Sequence, residues 1–245
     1  MNFYDELIIE LKELVLKNDF ETALLKINQE LSMPYVPSDI EEQLLEFKTQ
    51  IFEQISKKAN SNNNLNAEYI LQLLKSSDRE QQAFGINFLN KINLRDKLND
   101  VSELLTLEKI DNSIKTLILF TLKEQEINKS FDVLYSGVQQ SWNPIEIDFE
   151  NNFKFITEID EVISKSIENE NPGIAHDAKM LNINFYLNNL DKFNNSFLNE
   201  KAAAFILIAI EMLEEKKEMS YIKQWFNFDE DKAHEILKEI KGYEQ

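Results

Sequence analysis

The sequence predicts an all-α protein with, at most, one small β-hairpin. Apolar residues recur every three to four positions along most of the chain, which is the spacing of one face of a helix. Only 4 glycines and 4 prolines occur in 245 residues, too few turn residues for a β-sandwich, a barrel or a doubly wound sheet. Apolar residues make up 43% of the chain, so it can bury a core and is not disordered throughout.

Residues 1–60 are predicted to form a helical hairpin followed by a long third helix. Two apolar stripes flank Asn18-Asp19: Phe3, Leu7, Leu11, Leu14 and Val15, then Phe20, Ala23, Leu24, Ile27 and Leu31. Two helices joined by so short a break fold back on each other as an antiparallel pair. Pro34 and Pro37 then interrupt the helical pattern. Ser38-Asp39-Ile40-Glu41 is a capping box and is expected to start the third helix.

Residues 61–145 are predicted to form a stack of short helices after a polar boundary at residues 60–66. A second capping box, Ser77-Asp78-Arg79-Glu80, opens one of these helices, and Asp111 caps another. Four short amphipathic helices with short connections are typical of the stacked hairpins of α-solenoids. Their spacing is irregular, so a HEAT-like stack is predicted without a strict repeat.

Residues 131–147 break the helical pattern. Phe131–Tyr135 has high β-propensity, Ser136-Gly137 can form a turn, and Val138–Trp142 can run back. The segment is therefore predicted to be a small hairpin or an extended loop.

Residues 146–245 are predicted to form an acidic C-terminal helical bundle. Asn171-Pro172 supplies a cap and a first helical position, and Asp229 caps the closing helix. Ala202–Ile210 is apolar on every side, which is typical of a helix buried at the centre of a bundle.

Absent sequence features limit the classes of protein. With no cysteine, the chain has no disulfide framework, thiol nucleophile or thiolate metal site, as is usual in a reducing compartment. The longest apolar run, Ala202–Ile210, is about half the length that a membrane span requires. The first six residues lack the positive charge of a signal peptide. We therefore expect a cytoplasmic protein.

Motifs that carry chemistry are also missing. There is no glycine-rich phosphate loop and no Gly-x-Ser-x-Gly elbow, and the two histidines, His176 and His234, do not stand in a zinc-protease or di-iron spacing. We expect no catalytic residues, no metal and no cofactor. The alternative is a carboxylate- and histidine-based hydrolase or a metal-dependent enzyme, for which Asp231, His234 and Glu235 are the best candidates.

The charge distribution favours a protein or peptide partner over a nucleic acid. The net charge is −18, divided as −6 over residues 1–60, −2 over residues 61–144 and −10 over residues 145–245. Such a field repels phosphate backbones, and no stripe of lysine and arginine offsets it. A basic partner is therefore favoured and a nucleic acid disfavoured.

Five residues are candidates for contact with that partner: Tyr35, Arg79, Arg95, Trp142 and Trp225. Tyrosine, tryptophan and arginine dominate interface hot spots, and the nearly neutral middle segment holds both arginines. Aromatic residues next to loops also cap helical cores, which is the alternative interpretation of the two tryptophans.

Two stretches resemble known families. Asn18-Asp19-Phe20-Glu21-Thr22-Ala23-Leu24 resembles the turn of a tetratricopeptide (TPR) repeat. Residues 30–37 (ELSMPYVP), with Asn93-Leu94-Arg95, Ile114–Leu117 and Glu124-Gln125, resemble an uncharacterised family of helical proteins from mycoplasmas and related low-GC Firmicutes. That resemblance covers roughly residues 5–145. It implies a TPR- or HEAT-like helical architecture and brings no catalytic residues. The combined expectation is a non-enzymatic helical scaffold or adaptor that binds a protein or peptide.

Overall fold

A computed structural model describes residues 3–31, 33, 36–61, 67–76, 78–213 and 217–242. Within these ranges it confirms the all-α fold class with one small hairpin. The helices are α1 (Phe3–Leu16), α2 (Phe20–Leu31), α3 (Ser38–Ser61), α4 (Ala67–Lys75), α5 (Arg79–Leu89), α6 (Leu98–Thr106), α7 (Asn112–Glu124), α8 (Phe149–Ile167), α9 (Pro172–Asn188), α10 (Leu198–Met212), α11 (Met219–Ile222) and α12 (Glu230–Gly242). The strands are β1 (Phe131–Tyr135) and β2 (Val138–Trp142). The chain divides into two compact units, Met1–Lys97 and Leu98–Gln245.

The first unit contains α1 to α5. Asn18 adopts a left-handed φ of 60°, and the Asp19 carboxylate accepts a hydrogen bond from the Thr22 amide at the start of α2. An ion pair of 3.1 Å joins Lys26 on α2 to Glu10 on α1, at equal distances along the chain from Asn18. This pairing confirms the predicted antiparallel hairpin.

The predicted starts of α3 and α5 agree with the structure where it describes them. α3 begins at Ser38, and the Pro37 carbonyl accepts hydrogen bonds from the amides of Ile40 and Glu41. α5 begins at Arg79 after Asp78, whereas Ser77 of the predicted second capping box lies outside the described residues.

The second unit has α10 at its centre. The residues of Ala202–Ile210 are all buried, as predicted from the apolar run, and Lys201 before them is buried as well. α10 packs against α8, α9, α11 and α12, and α7 packs against α9. α6 packs against β1, so α6, α7 and the hairpin belong to this second unit while α4 and α5 belong to the first.

Of the two forms predicted for residues 131–147, a small hairpin or an extended loop, the structure shows the hairpin. β1 and β2 pair antiparallel, with Phe131 opposite Trp142 and Tyr135 opposite Val138. Ser136 and Gly137 both have positive φ values, 51° and 76°, as a type I′ turn requires. An isolated hairpin is only marginally stable. In this hairpin, one face of β1 is buried, namely Phe131, Val133 and Tyr135.

Asn182 joins α9 to α8 inside the second unit. Its fully buried side-chain amide donates to the Ile156 carbonyl (3.1 Å) and to Asp160 Oδ1 (2.9 Å). Burial raises the pKa of Asp160, and the hydrogen bond from Asn182 partly opposes that rise. The residue therefore stabilises a carboxylate that is half removed from water.

We expect Asn182→Ala to lower the free energy of unfolding by about 1–2 kcal/mol, because it removes two buried hydrogen bonds and takes a donor away from the half-buried Asp160 carboxylate. Chemical denaturation followed by circular dichroism measures the change. Asn184→Ala, at an exposed position of the same helix, is the control and should change stability by less than about 0.5 kcal/mol. Equal effects of the two substitutions would contradict this role.

Candidate functional site

Of the five candidate residues predicted from sequence, the structure describes four: Arg79, Arg95, Trp142 and Trp225. Tyr35 is outside the described residues. Arg79 is the exposed first residue of α5. Arg95, also exposed, begins a short 3-10 helix, and its backbone amide donates to Asn93 Oδ1 at 3.0 Å.

Trp225 packs on the edge of the core of the second unit. Its half-buried ring meets Tyr221 edge to face, with 5.2 Å between ring centroids, and its Nε1 donates to Glu170 Oε2 at 3.0 Å. The ring therefore already has partners within its own unit.

Trp142 lies beside a cavity. It ends β2, half-buried, with its ring 5.0 Å from that of Tyr135 and its Nε1 donating to Gln140 Oε1 at 3.1 Å. Next to it opens a cavity of about 370 Å³, which we call the polar pocket. Its charged and amide lining is formed by Gln140, Asn143, Glu146, Asp148, Asn152 and Asp191. Ser141, Trp142, Ile147 and Leu190 complete the lining.

Two helix-capping residues, Asn143 and Asp148, form part of the lining of the polar pocket. Asn143 Oδ1 accepts a hydrogen bond from the Ile145 amide and starts a 3-10 helix, Pro144–Glu146. Asp148 then caps α8: its Oδ1 accepts from the Asn151 backbone amide (3.3 Å) and its Oδ2 from the Asn151 side chain (2.7 Å). These bonds hold the pKa of Asp148 below its ordinary value, and the charge of Lys123 adds a smaller lowering. Asp148 therefore carries a negative charge at neutral pH.

A buried pair of hydroxyl groups holds the backbone that leads to Leu190 and Asp191 of the lining. Thr116 Oγ1 and the Tyr135 hydroxyl lie 2.9 Å apart, and both reach the Leu187 carbonyl, at 2.7 and 2.9 Å. The Tyr135 hydroxyl also accepts a hydrogen bond from the Leu190 amide at 3.0 Å. Tyr135 thus fixes the backbone from the end of α9 to Leu190, directly before Asp191.

One buried oxygen atom of a lining residue, Asp191 Oδ1, has no hydrogen-bond partner within the described part of the chain. Tyr186 is not among the lining residues, and its side chain is 0% exposed. Burial raises the pKa of Tyr186 to about 12, a hydrogen-bonding interaction with the Asn152 side chain opposes that rise, and the Asp148 charge adds to it.

The residues proposed for a metal site, His234 and Glu235, interact with residues of their own helix. His234 is exposed, with Nδ1 2.9 Å from the Glu230 carbonyl of its own helix, and Glu235 pairs with Lys232 at 2.7 Å. Among the described residues, no three histidine or carboxylate side chains come together as a metal site requires.

The polar pocket can accept hydrogen bonds from a cation. Asp148 contributes a negative charge to its lining, the amides of Gln140, Asn143 and Asn152 supply further acceptors, and Trp142 contributes an aromatic ring. The sequence identified Trp142 as a candidate but not Asn152 or Asp191. The cap role of Asp148 was visible in the sequence as an acidic residue before an apolar period, whereas no local signal marks Asp191.

Comparisons with protein-family models, with curated proteins and with solved structures find no match for this chain. None of the described helices is long and apolar enough to serve as a membrane span.

Proposed function

We propose that this protein is a helical binding module whose polar pocket receives a basic side chain of a protein or peptide partner. The observation that supports the proposal is the pocket itself, whose lining combines the charged carboxylate of Asp148 with Asp191, Glu146 and the ring of Trp142. A positively charged side chain would offset the charge of Asp148 and donate hydrogen bonds to the oxygen atoms that line the pocket.

The charge of the surrounding segment supports the same kind of partner. Residues 145–245 contain 21 acidic and 11 basic side chains. A negative field of this size attracts basic segments and accelerates their association, and the effect weakens as salt screens it.

We also propose that the protein is a TPR- or HEAT-like scaffold and that it is located in the cytoplasm. The α1–α2 hairpin, with its TPR-like turn at Asn18-Asp19, and the short helices after it fit a scaffold of TPR- or HEAT-like helical pairs. The resemblance to the mycoplasma family and the absence of cysteine are consistent with an adaptor that works in the cytoplasm.

The test uses the two tryptophans as reporters. Trp225→Phe leaves Trp142 as the only tryptophan and keeps an aromatic ring on the core. We expect a peptide rich in lysine and arginine to change the fluorescence of Trp142 in a saturable manner, with an apparent Kd of about 1–100 μM. Raising the salt from about 50 to about 300 mM should weaken binding several-fold. An acidic peptide of the same length is the control.

Two outcomes would contradict this proposal. One is the absence of any response to the basic peptide at low salt while circular dichroism shows the helical fold intact. The other is equal binding of the basic and acidic peptides, since the pocket would then not discriminate by charge.

A further inference from the structure

We infer that the basic partner binds as an extended strand along the outer edge of β2, so that the two-stranded sheet becomes a three-stranded one. This inference rests on the proposed function and names the way in which the backbone of the partner is held. It follows from the direction of the backbone groups of β2, from the exposure of this strand and from the position of the polar pocket at its end.

The register of the hairpin determines which backbone groups of β2 point away from β1. A β-turn closes with a hydrogen bond between its first and fourth residues, so Tyr135 and Val138 form a hydrogen-bonded pair across the turn. Hydrogen-bonded and non-hydrogen-bonded pairs alternate along an antiparallel ladder. Gln139 and Ser141 therefore occupy non-hydrogen-bonded positions, and their N–H and C=O groups point away from β1.

The outer edge of β1 shows the same alternation and is covered by helices. Leu134 lies opposite Gln139, at a non-hydrogen-bonded position, and its carbonyl accepts a hydrogen bond of 2.5 Å from Lys115 Nζ on α7. α6 also packs against β1. The two helices therefore protect β1, and the edge of β2 is the one that a further strand would extend.

The outer edge of β2 carries no such cover among the described residues. Val138, Gln139 and Ser141 are exposed, with an exposed fraction of 58% for Val138. Within the described part of the chain, no hydrogen bond from outside the sheet reaches the backbone of Gln139 or Ser141. β2 (VQQSW) also lacks the charged residues and prolines with which edge strands discourage pairing. It therefore offers the N–H and C=O groups of Gln139 and Ser141 to a further strand.

The polar pocket lies at the end of this edge. Gln140, Ser141 and Trp142 belong both to β2 and to the lining of the pocket. When a peptide is added to a sheet edge, main-chain hydrogen bonds provide affinity and alternate side chains provide specificity. A strand bonded to Gln139 and Ser141 would pass the pocket and place a lysine or arginine beside the lining that contains Asp148.

Charge favours a basic peptide over a second copy of this chain as the added strand. Pairing the β2 edges of two copies would bring together two segments, residues 145–245 of each copy, that each contain 21 acidic and 11 basic side chains. Like charges brought close together oppose association. A segment rich in lysine or arginine meets attraction instead.

Backbone methylation of a peptide tests the hydrogen bonds. The probe is an eight-residue peptide of alternating lysine and threonine, and binding is followed by the fluorescence of Trp142 in Trp225→Phe. One methylated version carries N-methyl groups on its two central lysines, and the other carries them on its two central threonines. We expect the affinities of these two versions to differ by at least about 10-fold, because alternate residues of a strand point their N–H groups to opposite sides.

The outcomes separate this inference from the proposed function. If the unmethylated peptide binds and the two methylated versions have equal affinities, strand addition is overturned and the proposed function stands. If the unmethylated peptide does not bind at low salt, both are refuted.

Proline at Gln139 tests the same edge from the side of the protein. Gln139 does not line the pocket, and its N–H points away from β1, where an edge strand tolerates proline. We expect Gln139→Pro to keep the fold, as measured by circular dichroism, and to lose about 5- to 20-fold in affinity for the unmethylated peptide. Gln139→Thr keeps the N–H and is the control, with an affinity within about 2-fold of wild type. Wild-type affinity in folded Gln139→Pro would overturn the inference.

Sedimentation of the protein without peptide tests the other occupant of the edge. We expect a monomer, because the acidic segments of two copies repel each other. A dimer that Gln139→Pro dissociates would show that a second copy pairs with β2 and would overturn the assignment of the edge to a peptide.

Discussion

Replacement of Tyr135 by phenylalanine is expected to lower the free energy of unfolding of the second unit by about 2–3 kcal/mol. The hydroxyl of this fully buried residue contacts Thr116 Oγ1, the Leu187 carbonyl and the Leu190 amide, all within 3.0 Å. Phenylalanine preserves the ring and its contact with Trp142, so the loss isolates these hydrogen bonds. The Leu190 amide would lose its acceptor, and Thr116 would keep only the Leu187 carbonyl.

Urea denaturation followed by tryptophan fluorescence measures this loss, because both tryptophans lie in the second unit. Tyr221→Phe, in which the hydroxyl belongs to an exposed side chain, is the matched control and should change stability by less than about 0.5 kcal/mol. A loss below about 1 kcal/mol for Tyr135→Phe would mean that water replaces the hydroxyl and that the network contributes little to the fold.

Lys201 is expected to make the stability of the second unit rise between about pH 8 and pH 10.5. Its side chain is 5% exposed, with Nζ 2.6 Å from the Asn194 carbonyl and about 5 Å from the ring centroids of Phe155 and Phe193. Burial lowers the pKa of Lys201 from 10.5 to about 8, while the charge of Glu239 opposes part of that lowering.

The direction of this pH dependence follows from how many protons Lys201 binds in the folded and unfolded states. Between these two pKa values the unfolded chain holds the proton and the folded chain does not, so stability increases with pH. Below about pH 8 both states are charged, and the fold bears the full cost of a buried ammonium, which is up to about 3 kcal/mol. Above pH 10.5 both states are neutral and the cost disappears.

Lys201→Met tests this dependence. The stability of the variant minus that of the wild type should fall by about 2–3 kcal/mol from about pH 7 to about pH 10.5, because only the wild type gains stability across this range. Lys165→Met, at an exposed lysine paired with Glu161 in α8, controls for the loss of one positive charge. A difference for Lys201→Met that stays constant with pH would show that the buried ammonium keeps its ordinary pKa.

Substitutions of Tyr135 and of Lys201 are expected to differ in their effect on the polar pocket. Tyr135 fixes the backbone that precedes Asp191, so Tyr135→Phe is expected to loosen one wall of the pocket as well as to destabilise the unit. Lys201 bonds to Asn194 and packs against Phe155 and Phe193, outside the lining, so it serves as a stability probe that leaves the pocket residues unchanged.

Local sequence signals determined the helical elements of this protein. The turn at Asn18-Asp19, the start of α3 at Ser38, the I′ turn at Ser136-Gly137 and the burial of α10 were all predictable, because each depends on residues within a few positions of one another. Backbone capping, left-handed φ values and apolar periodicity act over such short distances.

Only the tertiary structure decided how the polar pocket is assembled. Tyr135 meets Leu187 across 52 positions of the chain, and Asp191 joins Asp148 and Trp142 in the lining from a loop. Asp148 can be recognised locally as a helix cap, but nothing in the local pattern of Asp191 separates it from the many other polar residues of the chain. The proximity of these residues results from α7 packing against α9 and from the Tyr135 hydroxyl bonding to the end of α9, and the burial that leaves Asp191 Oδ1 unpaired exists only once those elements have packed.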